Sequence, residues 1–182
     1  MGGGIVFNTL EPSFSDSIKN SFIQKYESSS NAVIAHYHSL YKIKKTAYLS
    51  AFSIFSFKNL KMGSQKFHGY TNWGQEQHVT SGLEQLKTEY NKTIITQKAL
   101  LKVGLFSSIL SHTEYAKCSP VNRFDKMNDL SNGDPKYLFW YYGPKESFLQ
   151  KIRLKTLSDY LISDQSSVTA TYQNIKESRH TQ

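Results

Sequence analysis

Thr93-Ile-Ile-Thr-Gln-Lys-Ala-Leu-Leu-Lys-Val-Gly-Leu-Phe-Ser-Ser-Ile-Leu-Ser111 is apolar on most sides of a helix. Ile94, Ile95, Leu100, Leu101, Val103, Leu105, Phe106, Ile109 and Leu110 cover nearly every side of a helical wheel, and a helix apolar all round is normally central. The expectation is a buried helix with the other elements packed around it.

Working outward, the flanking segments read the same way. Ser81 and Glu84 have capping-box spacing ahead of Val79, Leu83, Leu86 and Tyr90, which predicts a helix before the central one. Pro12 and the Ser13/Asp16 spacing open a helix to Glu27 with Ile18, Phe22 and Tyr26 on one stripe. Asn31 caps another, with Ile34, Tyr37 and Tyr41 inward and lysines at its end, where they complement the helix dipole. Ala47–Phe57 reads as a strand, and Ile5–Phe7 as a short edge strand. Downstream, 118–134 is a polar connection with turn signals at Asn132-Gly133 and Asp134-Pro135. The aromatic run Lys136–Phe148 follows, bounded by Gly143-Pro144, and Ser147 with Gln150 starts a last helix. That helix turns Phe148, Ile152, Leu157 and Tyr160 inward and Lys151, Arg153 and Lys155 outward. The fold expected is α+β, a helix-dominated single domain over residues 1–163 with a small sheet, or alternatively an all-α bundle. Residues 164–182 are expected to form a polar, loosely ordered tail.

Composition narrows the class. The chain has 182 residues, 38% hydrophobic and 14% aromatic, enough for one core. No apolar run reaches 18 residues, which predicts no transmembrane segment and at most peripheral membrane contact. The lone Cys118 excludes an internal disulfide and fits a cytoplasmic or other reducing compartment, including delivery into a host cell. No cleaved leader is expected, and Gly2-Gly3-Gly4 reads as a flexible leader.

The net charge of +8 is concentrated. Between Glu27 and Glu76 there is no acid, while Lys42, Lys44, Lys45, Lys58, Lys61 and Lys66 all fall there. With Phe67 and Trp73 as stacking rings, these lysines predict a polyanion-binding region for RNA, DNA, or an acidic protein or lipid surface. Only Arg123, Arg153 and Arg179 are arginines, so any nucleic-acid contact would be led by the phosphate backbone and sensitive to salt. Trp140 and Tyr141 are candidate partner contacts for a viral or organelle assembly subunit.

One enzymatic alternative stands beside this. In Lys66-Phe67-His68-Gly69-Tyr70-Thr71-Asn72-Trp73, His68 has the chemistry of a general acid or base, with Tyr70 assisting. That is the minimum for an effector or toxin-like enzyme acting on nucleic acid or a nucleotide. His36 and His38 diverge on the expected helix, so no metal site is expected, and no cofactor motif is present. The sequence therefore points to non-enzymatic binding of a polyanionic partner.

Overall fold

The computed structural model describes residues 9–15, 17–61, 63, 80–81, 83–127, 129–160 and 163–182. In chain order the strands begin with β1 (Lys19–Glu27), β2 (Ala32–Ile43) and β3 (Thr46–Phe57), followed by the short β4 (Leu60–Lys61), β5 (Thr80–Ser81) and β6 (Glu84–Gln85). Two long strands come next, β7 (Tyr90–Val103) and β8 (Ser107–Cys118), then β9 (Val121–Asn122) and one helical turn, α1 (Phe124–Met127). The chain continues through β10 (Leu130–Ser131), β11 (Asp134–Pro135), β12 (Trp140–Tyr142), β13 (Lys145–Tyr160), β14 (Ser163–Lys176) and β15 (Arg179–Thr181).

Seven long strands make one sheet in the order β1-β2-β3-β7-β8-β13-β14, each antiparallel to its neighbours. This is a meander, and its connections are one-sided. The strand pairs β2–β3, β7–β8 and β13–β14 are joined in sequence at one end of the sheet, whereas the long excursions between β3 and β7 and between β8 and β13 leave and rejoin the sheet at the other, beside the 28–31 turn. Gly104 takes φ +71, a left-handed conformation that glycine adopts without steric cost, and so folds β7 back onto β8.

These strands overturn the helix-dominated α+β expectation, its all-α alternative and the helical character read from the sequence, because the described residues are 70% strand and contain a single helical turn, Phe124–Met127. The central stretch is a hairpin of β7 and β8, and the segments expected as helices at 12–27, 31–43 and 147–161 supply β1, β2 and β13. The physical cause is a coincidence of periods. Phe22 and Tyr26, Val33, Tyr37 and Tyr41, and Phe148 and Ile152 are four apart, a spacing that stacks residues on one face of a helix and equally on one face of a strand. Midway between them, on the same strand face, stand Gln24, Ala35, Ser39 and Gln150 rather than large apolar side chains, which blurs the alternation that would have marked a strand.

At the end with the long excursions sits a cap. β12 pairs with β9 on one side and β15 on the other, setting Trp140 opposite Thr181 and Tyr141 opposite His180. Trp140 is 7% exposed against Met127, with Tyr137 and Tyr142 packed on the pair. The Arg123 amide donates to the Trp140 carbonyl at 2.9 Å, and a cis Gly143-Pro144 bond leads from β12 into β13. The segment expected as a loose tail instead forms β14, in register with β13 from Glu146 opposite Lys176 to Leu157 opposite Gln165, and then β15.

Candidate functional site: the two faces of the sheet

Register sorts the side chains of the seven strands into two unlike faces. One cross-strand row runs Phe22, Tyr37, Phe52, Ile95, Tyr115, Phe148. We call this the open face. Phe22 is 65% exposed, Ile152 50% and Val168 71%, and Tyr37, Phe52, Ile54, Ile95, Leu101, Leu154 and Tyr172 are also exposed. On the open face no charge occurs from Val33 to Ile43 in β2, Thr46 to Ser56 in β3, Asn91 to Val103 in β7, Ser107 to Tyr115 in β8, Phe148 to Thr156 in β13, or Ser166 to Asn174 in β14. Charges return at the rim beside the long excursions, where Lys117 and Glu146 pair at 3.0 Å and Lys176 stands opposite Glu146.

Several polar groups within this face pair with one another. The Ser50 hydroxyl donates to Gln97 Oε1 at 2.7 Å, Thr113 Oγ1 to Gln150 Oε1 at 2.5 Å, and Gln150 Nε2 to Ser111 Oγ at 3.1 Å. The Tyr37 hydroxyl donates to Asn20 Oδ1 at 3.1 Å. Pairing of this kind is what a polar group needs where water is absent.

The middle of the opposite face is covered by the segment from Thr9 to Phe14, while Ile23 and Ile175 on the same face stay exposed. Here lie the buried Ala47, Leu49 and Leu110, and with them Lys98, only 4% exposed. Its Nζ donates to Thr9 Oγ1 and to the Leu10 carbonyl, both at 2.7 Å. Arg153 Nη2 donates to Glu11 Oε1 at 2.8 Å, and Lys102 Nζ stands 4.5 Å above the Phe14 ring. The strand β13 places Lys151, Arg153 and Lys155 on this face at alternate positions, where a cleft of about 760 Å³ runs between them, Glu11, Gln165 and Ser167. A smaller cavity of about 140 Å³ is lined by His36, His38, Lys98, His112 and Glu114.

Being on a strand, His36 and His38 share a face rather than diverge: His36 Nε2 lies 3.3 Å from His38 Nδ1 and His36 Nδ1 2.8 Å from Ser53 Oγ. Among the described residues no group of three or more His, Cys, Asp or Glu is arranged to hold a metal ion. No described helix is long and apolar enough to cross a membrane, a statement that leaves strands untouched.

The expected basic cluster is divided by the fold. Lys44 and Lys45 form the tight β2–β3 turn, with Lys44 at φ 53, and Lys42 ends β2 beside them. Lys58 and Lys61 lie past the far end of β3, about 40 Å away at roughly 3.3 Å per residue. Lys66, Phe67, His68, Tyr70 and Trp73 lie outside the described residues. Trp140 is spent on the interior of the cap, while Tyr141 stacks on His180 with ring centroids 4.8 Å apart. The cations that do converge on one cleft, Lys151, Arg153 and Lys155, were legible in Lys151-Ile152-Arg153-Leu154-Lys155, a strict alternation of charged and apolar residues.

Comparison with protein-family models, with curated proteins and with solved structures returned no match, so the functional reading rests on this geometry.

Proposed function

We propose that the seven-stranded sheet is the wall of a β-barrel embedded in a lipid bilayer, its open face against acyl chains and its covered face toward water. One observation carries the reading: six strands each run nine or more residues without a charge on the open face, while their cations gather on the other. A soluble sheet does the reverse and hides its apolar face. A tilted membrane strand needs about 9–11 residues. The three shortest uncharged stretches, nine residues each in β8, β13 and β14, rise about 21 Å at a tilt of ~45° and the longest, Asn91 to Val103, about 30 Å, bracketing the ~25 Å apolar band of known barrels.

Two further features support it. Tight connections at one end and long excursions at the other are the anatomy of such barrels. The mutual hydrogen bonds of Ser50, Gln97, Thr113 and Gln150 leave fewer polar groups unsatisfied in hydrocarbon. Barrels of this class close with eight or more strands, so the outer edges of β1 and β14 would pair with further strands in the assembly.

The function is thus binding and passage rather than catalysis. The polyanionic partner suggested by the charge becomes, in this reading, anionic lipid headgroups at the Lys44–Lys45 and Lys58–Lys61 rims and anionic solutes at the covered face. The test is refolding from urea with and without neutral phosphatidylcholine vesicles, followed by alkaline carbonate washing and flotation. Carbonate-resistant flotation with the neutral vesicles is expected. A water-soluble species that ignores them, or flotation only on anionic vesicles at low salt, would mean that the open face meets protein or water instead.

A further inference from the structure

We infer that the cleft beside β13 is a binding site for an oligophosphate chain, and that Glu11 is its internal stand-in. This concerns the covered face and does not depend on what the open face meets.

The argument begins from spacing. Lys151, Arg153 and Lys155 alternate along one strand, so their Cβ atoms follow one another at about 6.6 Å on the same face and the comb spans roughly 13 Å. Among the described residues Glu11 is the one carboxylate in this cleft, and its hydrogen-bonded ion pair is with Arg153, through a single oxygen at 2.8 Å. Lys151 and Lys155 make no ion pair with a described residue. A row of three cations against one acid is electrostatically underfilled, and the missing charge is spread along a line. A chain of phosphoryl groups supplies negative oxygens in that form, whereas a lone carboxylate or orthophosphate reaches one cation at a time.

The neighbouring strand completes the site. Ser167 of β14 stands opposite Lys155 and lines the same cleft, adding a neutral hydroxyl donor beside the cations. Arg153 offers a planar fork of which Glu11 takes one prong, so a phosphoryl group can displace the carboxylate and use both. The cleft volume of about 760 Å³ falls within the ~300–1,000 Å³ range of small-molecule sites. Glu11 is half exposed on a segment seated also by Lys98 and Lys102, so its carboxylate can swing out while the segment stays anchored.

Calorimetric titration of the full chain at low salt tests this, with sodium tripolyphosphate, ATP, orthophosphate and adenosine as the four probes. Tripolyphosphate and ATP should bind, with orthophosphate at least about tenfold weaker and adenosine silent; if ATP greatly exceeds tripolyphosphate the oligophosphate is that of a nucleotide, and equal affinity assigns the free chain. Lys151→Gln combined with Lys155→Gln should weaken tripolyphosphate by about a hundredfold, roughly tenfold per charge-assisted contact. Glu11→Gln should tighten it severalfold, because the competing carboxylate is gone. That sign is the discriminating result, since a merely structural ion pair would predict weaker binding or none. The inference is overturned if orthophosphate binds as tightly as tripolyphosphate, if the double lysine variant binds undiminished with its strand circular dichroism intact, or if Glu11→Gln weakens binding.

Discussion

Placing an arginine at Ile152 separates lipid from water on the open face. Ile152 lies midway along the uncharged stretch of β13, is 50% exposed, and stands opposite Ser111 and Ala170, so an arginine there meets no strand-mate of like charge. If this face is wet, the cost is loss of the part of the isoleucine that is buried. Full burial of such a side chain stabilises by about 1.5–3 kcal/mol, so half of it is about 1 kcal/mol, reduced further because the arginine stem covers some of the same surface. If the face meets acyl chains, an arginine near the midplane costs about 2–4 kcal/mol, falling to ~0–1 near the interface. Thr156→Arg, four residues nearer the tight connection on the same face, is the rim control. Urea titration of vesicle-folded protein should therefore show Ile152→Arg destabilised by about 3 kcal/mol, close to a hundredfold in the folding equilibrium, and Thr156→Arg by under about 1 kcal/mol. Equal costs at the two positions, or a cost below about 1 kcal/mol at Ile152, would refute a lipid-facing sheet, because depth dependence is the one effect an aqueous face cannot produce.

Other outcomes are expected elsewhere. Met127→Ala removes the side chain on which Trp140 packs and should cost about 2–4 kcal/mol locally, read as a red shift and earlier thermal transition of Trp140 fluorescence while the strand circular dichroism persists. Gly104→Val places a β-branched residue at φ +71 with nothing within 4 Å of the new Cβ, so its cost of about 1–2 kcal/mol is conformational and should appear as lower stability of the β7–β8 hairpin in hydrogen exchange. In the cap, the hydrogen bonds from Arg123 hold the Asp125 carboxyl below the usual carboxylate value. The folded-state pKa is depressed, so the stabilisation is present above the unfolded value of about 4 and disappears as the pH falls through the folded one. Both partners are well exposed, so solvent screening keeps the effect small; Asp125→Asn should abolish that acid-side step in cap stability, and an unchanged step would refute the assignment.

Composition and local order were legible along the chain: no helix-length apolar span, a local lysine excess, a single cysteine, turn chemistry at Asn132-Gly133, and the aromatic cluster at Trp140–Tyr142. Each is a property of composition or of neighbours along the chain, so no partner is needed to read it. Helix or strand was not determined in this way, because residues four apart, such as Phe148 and Ile152, coincide in both geometries and the intervening serines, threonines and glutamines carry little contrast. The two-faced character of the molecule was decided only by tertiary structure. Phe52, Ile95, Tyr115 and Phe148 become one row through pairing between strands far apart in sequence, and that same register sends Lys98, Lys151, Arg153 and Lys155 together to the other side. A one-residue slip in any pairing would have exchanged the faces. Pairing also dispersed what the chain had clustered, since a strand as long as β3 carries Lys44 and Lys58 to opposite ends of the sheet.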